Sequence, residues 1–127
     1  MTESYRPPHG RLRILVVEDS PSMRAEVVSI LRADRHVVVE ASRGSEALLL
    51  VDQEYFNVAI VDLQMPGMDG IEVIEAFQEL ANPPGSVMIL TSQRDIDLKR
   101  RARGIGVRAW LSKPVSPDIL RAAVRST

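Results

Sequence analysis

The chain has 127 residues, which fits one domain and suffices for a hydrophobic core without disulfide or metal staples. A formal net charge of −1 argues against a general nucleic-acid or membrane-surface binder, and 45% apolar with 26% charged residues is the balance of an ordinary soluble globular protein. The lack of cysteine excludes a disulfide framework and a thiolate site.

Residues 1–11 read as a disordered lead with two prolines and few apolar side chains. Nothing in that lead has the apolar stretch of a signal peptide, and no run anywhere approaches the ~20 apolar residues needed to span a bilayer. The expected location is the cytoplasm. Arg13–Val17 is a first buried strand ending in the acidic pair Glu18-Asp19. Ser20-Pro21 then supplies an N-cap and a proline at the first helical position, and Met23, Val27, Ile30 and Leu31 carry a helix to about residue 33. His36–Ala41 is a second strand, followed by a helix from Glu46 to about Gln53.

Val58-Ala59-Ile60-Val61-Asp62 is a third strand, apolar on both faces until its closing carboxylate. Pro66, Gly67 and Gly70 force a loop, and the next helix carries Ile71, Ile74 and Phe77 up to the break at Asn82-Pro83-Pro84-Gly85. Val87–Thr91 is a fourth strand and Asp95–Arg103 a charged helix. A short strand, Arg108–Leu111, runs into Ser112-Lys113-Pro114, and Ser116-Pro117 opens a last helix whose expected inner face is Ile119, Leu120, Ala123 and Val124. Five strands alternating with five helices argue a parallel sheet covered on both faces.

In such a sheet the strand ends meet at one edge. Glu18, Asp19, Asp62, Thr91 and Lys113 therefore converge, the last being one of only two lysines, with Lys99. Taken singly, a carboxylate after a strand is often a helix cap, and a lysine is usually a surface charge. Delivered together by four strands, they suit a particular chemistry. Clustered carboxylates repel unless a cation neutralises them, and all-oxygen ligation favours Mg²⁺ or Ca²⁺; Mg²⁺, with Mn²⁺ as a substitute, is preferred because it needs few protein ligands, keeps its waters and accepts a phosphate oxygen. Lys113 and the Thr91 hydroxyl offer donors to phosphoryl oxygens, and Asp62 becomes a nucleophile that takes a phosphoryl group as an aspartyl phosphate. No glycine-rich phosphate cradle follows the first strand, so nucleotide and flavin binding are not expected.

Val16-Val17-Glu18-Asp19-Ser20, Val61-Asp62-Leu63-Gln64-Met65-Pro66-Gly67-Met68-Asp69-Gly70, Leu90-Thr91-Ser92 and Leu111-Ser112-Lys113-Pro114 resemble, in order and spacing, the receiver domains of two-component response regulators. The resemblance covers residues 12–125. It implies a flavodoxin-like (βα)5 three-layer fold with strand order 2-1-3-4-5 and a receiver unit over residues 12–127. It further implies that Asp62 accepts phosphate from a histidine kinase or phosphotransfer protein, and that Glu18, Asp19, Asp62 and the Gln64 backbone carbonyl hold Mg²⁺. Thr91 and Lys113 would bind phosphoryl oxygens, Lys113-Pro114 would be a cis bond, and Gln64 and Gln93 would tune the phosphate's lifetime.

The last third, with Asp97-Leu98-Lys99-Arg100, Gly106, Ala109-Trp110-Leu111, Pro117 and Leu120, is similar to single-domain chemotaxis-type receivers. Trp110 occupies the place of that family's switch aromatic, which responds as Thr91 moves; a packed or edge-strand tryptophan is the plain alternative. Lys99-Arg100-Arg101-Ala102-Arg103 is either a solvated face or a docking surface for an acidic protein partner. The resemblance implies a stand-alone signalling protein whose only chemistry is its own phosphorylation and dephosphorylation, with a protein target on the helix 4–strand 5–helix 5 face and no nucleic acid or membrane. Three other readings compete: the receiver portion of a larger DNA-binding regulator, an inactive scaffold, and a haloacid-dehalogenase-like phosphotransferase. In that last class the nucleophile ends the first strand and an aspartate stands two residues on, where this chain has Asp62 on the third strand and Gln64.

Overall fold

In a computed structural model, which describes residues 10–92 and 96–127, the chain alternates β1 (Arg13–Val17), α1 (Pro21–Ala33), β2 (Val37–Ala41), α2 (Gly44–Gln53), β3 (Val58–Asp62), α3 (Gly70–Phe77), β4 (Ser86–Thr91), α4 (Ile96–Arg101), β5 (Ala109–Ser112) and α5 (Pro117–Arg125). The strands form one parallel sheet in the order β2-β1-β3-β4-β5, the flavodoxin-like order expected for the family resembled. The chain steps outwards from β1 to β2 and returns to the far side of β1 as β3. The carboxyl ends of β1 and β3 therefore flank the point where the winding reverses, which is where open α/β sheets leave a crevice.

Strand periodicity divides the core into two layers. Leu15, Val17, Ala59 and Val61 pack on one face with Ala47 and Val51 of α2 and Ile71, Val73, Ile74 and Phe77 of α3. Ile14, Val16, Val58 and Ile60 pack on the other with Val27, Val28 and Leu31 of α1 and Leu120 and Val124 of α5. The central strand β3 is buried at all five positions, so its last residue, Asp62, is carried into the interior by its neighbours.

Several boundaries differ from those read off the sequence. The second strand starts at Val37, because His36 turns its Nδ1 to accept the Leu12 N–H at 3.0 Å; burial lowers the imidazole pKa and keeps that acceptor neutral. α2 begins two residues before Glu46, whose carboxylate folds back to accept the Ser42 N–H at 2.7 Å. α3 stops at Phe77, five residues before the Asn82-Pro83 break, and its end tightens through Gln78 N–H to Glu75 and Leu80 N–H to Phe77. Ile119 faces solvent at 62% exposure, because Leu120 and Val124, four residues apart, take the inner stripe of α5.

Gly70 closes the loop after β3 onto the strand it came from. Its N–H donates to Leu63 O at 2.8 Å, and a Cβ there would be driven into the Asp62 carbonyl and to 2.8 Å from Leu63 Cα. Both obstacles are backbone atoms, one in β3 and one in the buried residue just after it, so neither can swing away. Gly70→Ala is expected to cost about 2–3 kcal/mol, read as a lower urea midpoint at unchanged slope. A midpoint equal to that of the wild type would mean that the loop is free to move away from β3.

Candidate functional site

Glu18 and Asp19 follow β1, Asp62 ends β3, Thr91 ends β4 and Lys113 follows β5. The structure brings the three carboxylates together: one oxygen from each of Glu18, Asp19 and Asp62 lies within 4.8 Å of the others. Glu18 is completely buried and Asp62 is 1% exposed, whereas Asp19 is open to solvent. Lys113 reaches across from β5 so that its Nζ stands 2.8 Å from Asp62 Oδ1 and 3.1 Å from Glu18 Oε1. The Lys113–Pro114 peptide bond is cis. Thr91 is buried beside this edge, with its hydroxyl donating to Ser92 O at 3.1 Å. The Gln64 N–H donates to Asp62 Oδ1 at 3.3 Å, and the Gln64 side chain is exposed. Gln93 lies outside the described residues.

The local sequence explains why the acidic turn has this shape. Val17 carries β1 to its last rung, and Glu18 N–H extends the ladder by donating to Ala41 O at 3.1 Å. Ser20 then caps α1, its Oγ accepting the Met23 N–H at 3.3 Å while its own N–H donates to Glu18 Oε2 at 3.2 Å. Asp69 caps α3 through a reciprocal pair with Glu72, at 2.9 and 3.0 Å, which fixes the far end of the loop that leaves Asp62.

The electrostatics are those of too much negative charge in too little water. Burial, reinforced by the neighbouring Asp62, pushes the Glu18 carboxyl up to about 7. Burial likewise raises Asp62, opposed by the hydrogen bonds from Lys113 and Glu18. Burial alone would pull Lys113 down, but its contacts with Asp62 and Glu18 outweigh that and leave its pKa raised. A proton on Glu18 and an ammonium on Lys113 thus make the cluster tolerable in the absence of another cation. Glu18 Oε1, buried, lies 3.1 Å from Lys113 Nζ and finds no hydrogen-bond partner among the described residues. An oxygen ligand set with a raised pKa and an unspent acceptor fits a small hard divalent cation, and Glu18, Asp19 and Asp62 are the side chains that could hold it.

Trp110 lies on β5, the edge strand, opposite Ile89 in register. Thr91 stands two residues beyond Ile89, so strand periodicity puts Trp110 and Thr91 on the same face of the sheet. The indole is 40% exposed and borders a groove of about 580 Å³ shared with Lys99, Ala102 and Arg103. Arg101 is turned the other way, pairing with Asp69 at 3.2 Å, so the basic run over residues 99–103 is divided between two surfaces. Sequence reading passed over Arg24, whose guanidinium reaches back along α1 to the acidic turn; it belongs to no motif, and only the direction in which helical side chains lean hints at it.

The profile of the response regulator receiver domain matches residues 14–125. The chain belongs to the response regulator receiver family. The receiver domain is 38% identical over 109 residues to protein-glutamate methylesterase/protein-glutamine glutaminase 4 of Myxococcus xanthus, covering 84% of this chain and 31% of that protein. It is 31% identical over 114 residues to the probable transcriptional regulator ycf27 of Porphyridium aerugineum, covering 90% of this chain and 47% of that one. The chain therefore spans less than half the length of these two relatives. Among solved structures it is similar to the chemotaxis response regulator CheY4 of Vibrio cholerae, with a TM-score of 0.82 and 29% identity, over 91% of this chain and 98% of that one. Receiver domains are signalling modules that work with histidine kinases or phosphotransfer proteins and bind Mg²⁺ in an acidic site. Among the described residues, no helix is long and apolar enough to cross a membrane.

Proposed function

We propose that this receiver domain acts as a stand-alone phospho-switch, taking a phosphoryl group on Asp62 from a histidine kinase or phosphotransfer protein and signalling by protein–protein contact. The observation that carries the reading is Lys113 Nζ set between two buried carboxylates, 2.8 Å from Asp62 and 3.1 Å from Glu18, at the carboxyl edge of the sheet. In the transfer, an Asp62 carboxylate oxygen forms a bond to phosphorus as the donor's N–P bond breaks, and the imidazole leaves with the electron pair. Lys113 shifts its ammonium onto a phosphoryl oxygen, and the Thr91 hydroxyl takes another. Glu18, Asp19, Asp62 and the Gln64 carbonyl hold Mg²⁺, or Mn²⁺ in its place; bound there, the cation neutralises charge on the phosphoryl oxygens. In hydrolysis, water attacks phosphorus as the bond from phosphorus to the Asp62 oxygen breaks, giving the carboxylate back and releasing inorganic phosphate, which carries the water oxygen, and a proton; Gln64 and Gln93 tune the phosphate's lifetime.

The unit runs over residues 12–127 behind a lead at 1–11, and output leaves by α4, β5 and α5, with Trp110 following Thr91. An acidic protein segment suits the Lys99 and Arg103 side of the groove. The likeness to the chemotaxis response regulator CheY4 supports a protein of the chemotaxis type; the same reading has it cytoplasmic, binding neither nucleic acid nor membrane and acting on no substrate but itself. The partial spans of the methylesterase and ycf27 relatives favour a second reading, the receiver portion of a longer regulator. Timed transfer from phosphorylated histidine kinases is the test, read by intact mass in Mg²⁺. One kinase is expected to pass its phosphoryl group on within seconds to minutes. No mass gain, from any kinase or from acetyl phosphate, would overturn the proposal.

A further inference from the structure

Asp19 is the weakly held member of the acidic cluster. Glu18 and Asp62 are locked by burial, whereas Asp19 is exposed. Its place is set by the Glu18–Asp19 peptide plane, and one side chain grips the oxygen of that plane. Arg24, in the second turn of α1, donates from Nη1 to Glu18 O at 2.8 Å. The same guanidinium donates from Nε to Glu40 Oε1 of β2 at 3.1 Å, and its side chain is only 20% exposed. A rigid fork with divergent donors can thus anchor on β2 and fix the carbonyl just beyond β1, with a geometry that a lysine ammonium does not hold. The Glu18 N–H is already tied to Ala41 O, so Arg24 completes the clamp on this residue's backbone. Because a peptide unit is planar, fixing its oxygen fixes the direction in which Asp19 leaves it.

We infer that Arg24 is a positioning residue for the divalent cation, holding the Glu18–Asp19 peptide so that the Asp19 carboxylate faces Asp62. Glu40 has two parts in this arrangement: it orients the guanidinium and offsets its charge, so that a cation can stand close to a cation site. The inference rests on the proposed Mg²⁺ site. It also predicts an effect opposite in sign to simple electrostatics, because deleting a nearby positive charge should tighten cation binding, whereas losing the clamp should weaken it.

Isothermal titration of the full chain with Mg²⁺ decides between them. Arg24→Met is expected to weaken Mg²⁺ binding about tenfold, the usual cost of losing a group that orients a ligand. Arg24→Lys, which keeps the charge but not the fork, should weaken it by a similar factor. In an Asp19→Asn background, Arg24→Met should add less than about twofold, since the residue it acts through is gone. Tighter or unchanged binding by Arg24→Met overturns the inference, as does full recovery in Arg24→Lys or an undiminished loss in the Asp19→Asn background. Urea transitions in EDTA identify a variant that fails to fold; if Arg24→Met does so, the Arg24→Lys comparison decides. A wild type that takes up no Mg²⁺ overturns the proposed site and the inference with it, whereas a wild type that binds and an Arg24→Met variant that binds equally well overturn Arg24 alone.

Discussion

Asp62→Asn is expected to gain no phosphoryl mass in Mg²⁺ and acetyl phosphate, under conditions in which the wild type gains one phosphoryl group. The amide has no ionised oxygen to attack phosphorus, and no other described carboxylate combines this burial with an ammonium at 2.8 Å. The fold should survive the change. Asparagine Oδ1 can still accept from Lys113 Nζ and from the Gln64 N–H, and Lys113 stays within 3.1 Å of Glu18 Oε1. Far-ultraviolet circular dichroism should therefore match that of the wild type while intact mass does not change. A variant labelled as fast as the wild type would place the acceptor elsewhere.

The second large effect concerns Glu18 in the absence of divalent cations. The folded protein keeps the Glu18 proton up to about pH 7, whereas the unfolded chain releases it near 4.5. Between those values the folded state binds more protons, so this group's contribution to stability is present at low pH and is lost as pH rises through the window. At about 1.4 kcal/mol per unit the loss is at most about 3–4 kcal/mol. In EDTA the wild-type urea midpoint should carry this fall between about pH 4.5 and pH 7, and Glu18→Gln, with nothing to ionise there, should lack it. Mg²⁺ should restore the wild type most at the alkaline end, where the carboxylates are ionised and unneutralised, and should do far less for Glu18→Gln. Equal pH profiles for the two proteins would show that Glu18 ionises freely inside the fold.

These two results bear on why the site is costly and kept. Glu18 and Asp62 together place carboxylates where the β1 and β3 neighbours exclude water, and Lys113 offsets only part of the charge. A stretch that destabilises the protein alone and is relieved by a cation is the usual mark of a binding site rather than of a structural ion pair.

Much of this was legible before any coordinates. The apolar runs 13–17, 58–62 and 87–91 are too short and too β-branched for helices, and each ends in a group with chemistry on it. Ser20-Pro21 and Ser116-Pro117 start helices by devices that act within four residues, and both start where expected. Local signals failed where side-chain contacts and packing decided the outcome. His36 leaves its strand for Leu12 from far along the chain, α2 starts two residues early as the Glu46 side chain returns to Ser42, and Ile119 yields the inner stripe to Leu120 and Val124.

The sequence by itself determined which groups gather at the sheet edge, because alternation forces a parallel sheet and a parallel sheet puts all its strand ends on one side. It also determined the family, since the motifs around Asp19, Asp62, Thr91 and Lys113 come in the right order. Only the tertiary structure decided how those groups share charge. Lys113 turns to Asp62 and Glu18 rather than to solvent, burial pushes the Glu18 carboxyl up, and Arg24 reaches from α1 to the turn that carries Asp19. The physical reason is that strand identity is fixed by short-range periodicity, whereas burial and the direction of a long side chain depend on neighbours brought together from the whole chain.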